Sequence, residues 1–292
     1  MPSHHGLFVG LTTLDLIYQA THPPATNEKI VASDYTLAAG GPATNAAVCF
    51  AYLGNRATLL SAIGSHPVTH LLNQDLQQWN VATLDLAPQR TEPPPVSSIV
   101  VTQETGERAV VSINATKRQA TVADIPAACL QGVDILLIDG HQMEVGRSLA
   151  EQAKAVEIPV VIDGGSWKPG FETILPFVDY AICSANFHPP GCPTSAETAA
   201  YLQTHGISKI AMTQGANPIL YWYQGEQGQL EIPPIQPVDT LGAGDIFHGA
   251  FCGAILQNDF VPSLSIAAKI AGRSCEFFGT RSWMAADDGT TK

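Results

Sequence analysis

The chain has 292 residues, 45% hydrophobic and 14% charged, with a net charge of −12 at pH 7. That length fits one large α/β domain or two small ones, and the apolar fraction excludes a disordered chain. Lys and Arg total 14 against 26 Asp and Glu, which argues against nucleic acid or an anionic membrane as partner, though backbone amides, a local Arg and Mg²⁺ can still hold a phosphorylated ligand.

In chain order, the start Met-Pro-Ser-His-His-Gly has no basic segment followed by an apolar one, so no signal peptide is expected. The longest apolar runs, such as those at 135–138 and 158–162, are too short to cross a bilayer. The expected location is the cytoplasm. Core strands are predicted at 7–10, 57–63, 133–138, 160–162, 180–183 and 209–213, and helices at 43–53, 68–79, 145–156, 196–205, 245–256 and 264–278. Short β-branched runs alternating with amphipathic stretches predict a mostly parallel sheet covered by helices.

Two segments break that rhythm. Residues 12–37 are polar with a short β-like section, and 97–114 reads as a hairpin turning at Gln103-Glu104-Thr105-Gly106-Glu107. Strands with no helix beside them predict a small sheet projecting from the main body. Pro93-Pro94-Pro95 is a stiff entry to it or a surface loop. A second hairpin is predicted at 219–232 around Gln224-Gly225-Glu226, and a single domain over 1–284 with a disordered tail at 285–292. The six cysteines, at 49, 129, 183, 192, 252 and 275, form no C-x-x-C pair or zinc-like array, so buried reduced thiols are expected.

Two motifs carry the chemistry. In Asp239-Thr240-Leu241-Gly242-Ala243-Gly244-Asp245, small residues open a helix, where backbone N–H groups and the helix dipole favour negative charge. A carboxylate at such a mouth makes sense if Asp245 takes a proton from an attacking hydroxyl while the amides steady a phosphoryl group; its rival role is a helix N-cap. In Ala39-Gly40-Gly41-Pro42-Ala43-Thr44-Asn45-Ala46-Ala47, Pro42 and Gly54 bracket a helix, and Asn45 offers donor and acceptor to a polyol.

Together the two segments resemble the signatures of the PfkB family, the ribokinase-like sugar and nucleoside kinases, and the resemblance runs from Gly10 to about Arg281. It implies a ribokinase-like α/β fold with a small β-sheet lid, ATP and Mg²⁺ as cofactors, and a homodimer formed through the lid. It implies Asp245 as catalytic base with Gly242, Ala243 and Gly244 as the anion site. Asp15, Gly40, Gly41, Asn45 and Arg108 are implied for the sugar. For the nucleotide the resemblance implies Asn186, Thr213, Gly215, Gly242, Gly244, Ala268 and Gly272, and for K⁺ it implies Asp239 with the Leu241 carbonyl.

Two positions depart from the family pattern: Pro189 stands where Asn186 should be followed by a Glu three residues on, and Pro218 where a second Gly is common. Asp139-Gly140-His141, Asp163-Gly164-Gly165-Ser166 and Arg281 resemble features of the ketohexokinase-like branch. The leading expectation is therefore transfer of phosphate from ATP to a ketose or furanose. Alternatives are a nucleoside kinase, for which only Tyr18 and Tyr35 offer an aromatic slot, and a catalytically impaired sensor on the same fold. A Rossmann dehydrogenase is disfavoured because no G-x-G-x-x-G follows the first strand.

Overall fold

The computed structural model describes residues 3–115 and 119–286. Its larger sheet has nine strands, in the order β13 (Glu226–Leu230), β12 (Asn217–Tyr223), β11 (Lys209–Gln214), β10 (Tyr180–Ser184), β9 (Val160–Gly164), β8 (Ile135–Ile138), β1 (His5–Gly10), β4 (Arg56–Ser61) and β5 (Val81–Asp85). From β11 to β5 all neighbours run parallel, and the hairpin β12–β13 adds an antiparallel edge. Every residue of β8 is buried, as a parallel strand covered on both faces requires.

The pleat sorts β1 between two cores. Phe8 packs on one face with Phe50, Phe251 and Phe260, while Leu7 and Val9 join Leu149 and Phe171 on the other. The first face is covered by α1 (Pro42–Tyr52), α5 (Ala243–Ile255) and α6 (Phe260–Ser274), and the second by α3 (Met143–Ala155) and α4 (Ser195–Thr204). Two further helices are α2 (Thr69–Gln78) and the short α7 (Ser282–Ala285).

The smaller sheet has four strands in the order β3 (Asp34–Gly40), β2 (Thr13–Ala20), β6 (Val96–Thr102) and β7 (Arg108–Ser112). The predicted β sections at 12–37 and 97–114 thus form one sheet, with β2 and β6 parallel at its centre. Its inner side carries Ile17, Ile99 and Val101 against Leu241 and Phe278 of the main body.

Some boundaries differ from the sequence reading. β5 was not anticipated: it is a five-residue edge strand with only Val81 fully buried, so its apolar signal is weak. Helix α6 starts at Phe260 rather than 264, because Pro262 lies in the first turn, where no N–H is needed, and Asp259 takes the N-cap position. It ends at Ser274 rather than 278. Ala285, assigned to the tail, closes α7, and 287–292 lie outside the described residues. Cys49, Cys183, Cys252 and Cys275 are buried thiols, whereas Cys129 and Cys192 are partly exposed. Among the described residues no helix is long and apolar enough to cross a membrane.

Candidate active site

The carboxyl ends of β1, β8, β9, β10 and β11 share one edge of the large sheet, where open α/β sheets bind ligands. Helix α5 begins there. Gly242, with φ of 72°, is its N-cap, and Asp245 is its third residue and makes no capping bond. The rival N-cap role is thereby excluded. Asp245 Oδ2 instead accepts from Asn45 Nδ2 at 2.8 Å. The close approach of α1 and α5 makes this reach possible: a Cβ on Gly249, one turn beyond Asp245, would strike the carbonyl of Ala46, next to Asn45.

Burial pushes the half-buried Asp245 carboxyl up to about 7, with the negative charge of Asp163 adding to the rise. The Asn45 hydrogen bond and the charges of His248 and Arg108 pull the other way. The balance is a carboxylate more basic than usual, suited to taking a proton near neutral pH. Beside it the first turn of α5 keeps free donors. The Ala243 amide donates to Thr240 O at 3.4 Å and that of Ile246 to Gly242 O at 2.8 Å, while the amides of Gly244 and Asp245 have no partner among the described residues, as at other helix starts. Gly244 is exposed, and a Cβ there would meet open space. A polyphosphate has room to approach these amides.

Facing this turn is a second cradle. Asp15 is buried on β2, accepting from Thr13 Oγ1 at 2.6 Å, and its burial raises the carboxyl above the usual range, with Thr13 and Ser97 pulling the other way. A Cβ on Gly40 would fall on that carboxylate, so the glycine is what lets β3 pass it. Gly41 then caps α1, and Asn45 lies one turn in. Asp15, Gly40, Gly41, Asn45 and Asp245 are therefore gathered at one place.

Of the groups that hold this cradle, Arg281, Asp139 and His141 were singled out in the sequence without this role, while Asp75 and His248 were missed. Arg281 donates from Nη1 to Asn45 Oδ1 at 3.0 Å and from Nη2 to Ala39 O at 2.6 Å and Asp75 Oδ2 at 3.1 Å. Asp75 also accepts from the Ala39 amide at 3.0 Å. Asp139 accepts from the amides of Leu11, Ala43 and His141 at 2.9, 3.2 and 2.8 Å, so it fastens the loop after β1 to the start of α1. His141 belongs to this loop framework, and burial lowers its pKa. His248 Nδ1 lies 2.6 Å from Gly244 O and 3.5 Å from Asp163 Oδ2, and Nε2 lies 3.0 Å from Ile182 O. It ties α5 to β9 and β10. A histidine inside an apolar helix was the available signal for it.

Other predicted residues sit further out. Arg108 Nη1 donates to Thr240 Oγ1 at 3.2 Å, and Thr240 in turn donates to Gly106 O, so the tip of the small sheet is pinned to the loop before α5. Asn186 and Thr213 flank the adjoining ends of β10 and β11, where the Ala185 amide donates to Thr213 O at 2.9 Å. Asn186 is exposed, and Pro189 is buried and accepts from the Cys192 amide, a turn-forming rather than liganding role. Gly215 forms the open turn into β12. Ala268 and Gly272 lie one turn apart on α6, and Gly272 backs onto Ile235.

The proposed K⁺ ligand Asp239 is buried, and both its oxygens are occupied by amides, Leu241 N and Gly279 N, each at 2.8 Å. The Leu241 carbonyl is the second oxygen source expected for such a cation. Among the described residues no group of three or more His, Cys, Asp or Glu could hold a metal ion.

Comparison with known proteins agrees with this geometry. The pfkB family carbohydrate kinase model matches residues 4–286. The chain belongs to the pfkB family. The ribokinase of Bacillus subtilis is 24% identical over 284 residues, covering 94% of each chain. Among solved structures, ribokinase from Thermotoga maritima superimposes with a TM-score of 0.80 at 19% identity, covering 98% of this chain and 99% of that one. Arabidopsis thaliana ribokinase complexed with ribose and ATP gives 0.77 at 22% identity, covering 96% and 94%.

A pfkB kinase is a phosphotransferase with an alcohol group as acceptor, and this chain is a carbohydrate kinase of that class. The shared fold extends to the ribokinase-like sheet and the smaller separate sheet. The relatives named here are ribokinases, whereas the acceptor expected from the sequence is a ketose or furanose.

Proposed function

We propose that the protein transfers the γ-phosphoryl group of ATP to a hydroxyl of a small sugar, a ketose or furanose, with Asp245 as general base. The observation that carries this reading is Asp245 itself. It is a carboxylate of raised basicity beside the free amides of α5, held by Asn45 from the cradle that contains Asp15. Asp15 accepts from the sugar hydroxyls, and Arg108 sits above the approach on the lid. Bound ATP supplies the phosphoryl group, against which Gly244 and its neighbours present amide donors. Mg²⁺ travels with the nucleotide phosphates and water. Asn186, Thr213, Gly215, Ala268 and Gly272 line the nucleotide side.

The small sheet acts as the lid, and its outer face serves as the dimer contact. Tyr18 and Tyr35 pair across β2 and β3 with ring centroids 6.4 Å apart, and Tyr35, Leu37 and Val111 are exposed there. Strand alternation places Tyr18 on the face opposite Asp15 and Ile17. The two tyrosines therefore point away from the cradle, which favours a sugar over a nucleoside. The working compartment is the cytoplasm. ATP-dependent phosphate transfer, assayed across ketoses, aldoses and nucleosides, tests the reading. Nucleosides as the better acceptors would replace the sugar, and binding without turnover would make the protein a sensor.

A further inference from the structure

A pocket of about 230 Å³ opens beside the cradle, and none of Asp15, Gly40, Gly41, Asn45 and Asp245 lines it. Leu11 and Thr12 form its near wall, the end of β4 and the start of α3 its floor, and the prolines at 93–95 with the ends of β6 and β7 its far side. It shares that near wall with the cradle. Thr44 of α1 donates from Oγ1 to Leu11 O at 2.9 Å and lies 3.0 Å from Thr12 Oγ1, and the chain then runs through Thr13 to Asp15.

Three polar side chains lining this pocket, those of Arg90, Gln142 and Ser61, keep donor capacity unspent. The Arg90 side chain is only 10% exposed. Its Nη2 donates to Pro93 O at 3.1 Å and its Nε lies 3.8 Å from Glu92 on the surface, while Nη1 has no partner among the described residues. Gln142 is buried with its oxygen accepting from the Ala120 amide at 2.8 Å, and its carboxamide nitrogen has no partner among the described residues. The Ser61 hydroxyl, also buried, has no protein partner among the described residues. In a chain of net charge −12, no Asp or Glu lines this pocket. These donors open onto the pocket, where a ligand or water can satisfy them.

We infer that this pocket receives an anionic substituent of the acceptor sugar, a carboxylate, sulfonate or phosphate, held by Arg90 with Gln142 and Ser61. At about 30 Å³ for each water, the volume admits any of the three. A planar guanidinium with a free N–H edge matches an oxyanion. The inference rests on the sugar-kinase reading and narrows its substrate class.

The test compares neutral sugars with the same sugars carrying a terminal carboxylate, sulfonate or phosphate, as acceptors from ATP. The anionic members should have the higher kcat/KM. Arg90→Gln should raise their KM about 10- to 100-fold, leaving kcat and the neutral sugars unchanged, and Arg90→Lys should restore part of the loss. Should Arg90→Gln not fold, Ser61→Ala gives a smaller KM rise confined to the anionic members. Neutral sugars preferred by the native enzyme, or equal effects on both classes, would overturn the pocket assignment while leaving the kinase reading intact. Turnover of no sugar at all would instead remove the kinase reading. Calorimetry then decides the pocket: an anionic sugar binding the native protein but not Arg90→Gln supports it, and no binding, or binding matched by inorganic phosphate alone, overturns it.

Discussion

Asn45 donates to Asp245 across 2.8 Å, although 200 positions separate them in the chain. The same side chain accepts from Arg281 at 3.0 Å, so the carboxylate is oriented by an amide that is itself held from behind. That arrangement fixes which oxygen of Asp245 stays free for a hydroxyl.

Asp245→Asn preserves this hydrogen bond, because the carboxamide oxygen can still accept, but it cannot take a proton. We expect kcat to fall about 10²- to 10⁴-fold with the KM for sugar nearly unchanged, measured by coupled assay on protein freed of contaminating kinase. Near-normal turnover would remove Asp245 from the chemistry.

The raised pKa of Asp245 also predicts two pH dependences. Activity needs the ionised form, so kcat/KM should climb with pH through about 7. The sign for stability is opposite. The folded state holds this proton more tightly than the unfolded chain, whose carboxyl titrates at about 3.9, so the stability it contributes is lost as pH rises through about 7. Asp245→Asn should therefore have the higher Tm at pH 8, with the gap closing below about pH 4. A Tm difference that does not change with pH would contradict the buried-carboxylate account.

Asp15 and Gly40 should fail in the same way. Asp15→Ala removes the acceptor, and Gly40→Ala drives a methyl group into it. Calorimetry should show sugar binding lost in both while ATP binding persists, at a cost of roughly 1–3 kcal/mol or more for each unpaired hydroxyl. Equal losses for both ligands would point to misfolding.

Arg281 and Asp75 together take both backbone groups of Ala39, just before Gly40. Removing either partner leaves a mostly buried charge, so Arg281→Ala should cost on the order of 3–5 kcal/mol and also weaken sugar binding through Asn45. The pair Arg281→Met with Asp75→Leu should recover most of the stability in urea unfolding but none of the binding. If the double variant also regained sugar affinity, Arg281 would have no role in orienting Asn45.

The apolar outer face of the small sheet, the proposed dimer contact, gives a further test. Tyr35→Glu and Val111→Asp place charge on exposed strand positions, so the fold should tolerate them. Sedimentation should show a dimer for the native protein and monomers for the variants. A native monomer would leave the lid without a partner.

Local pattern carried much of this protein. Short apolar runs, Pro42 and Gly54 around α1, and the two glycine-bearing motifs are all readable within a dozen residues, because strand, helix and cap preferences are set by near neighbours. Asn45 and Asp245 stood out for the same reason, being embedded in motifs, whereas Asp15 lies outside both and was named only through the family resemblance. Weakly patterned β5 was not, and neither was the start of α6 behind Pro262. What only the tertiary structure decided are the relations between distant segments. Arg281 reaches Ala39, Asn45 and Asp75, Asp139 staples Leu11 to Ala43, and His248 locks α5 to β9 and β10. The basicity of Asp245 belongs with these, because it sums burial with the charges of Asp163, His248 and Arg108. A carboxylate in a sequence has no such environment; desolvation and Coulomb forces act through space, and chain folding sets those distances.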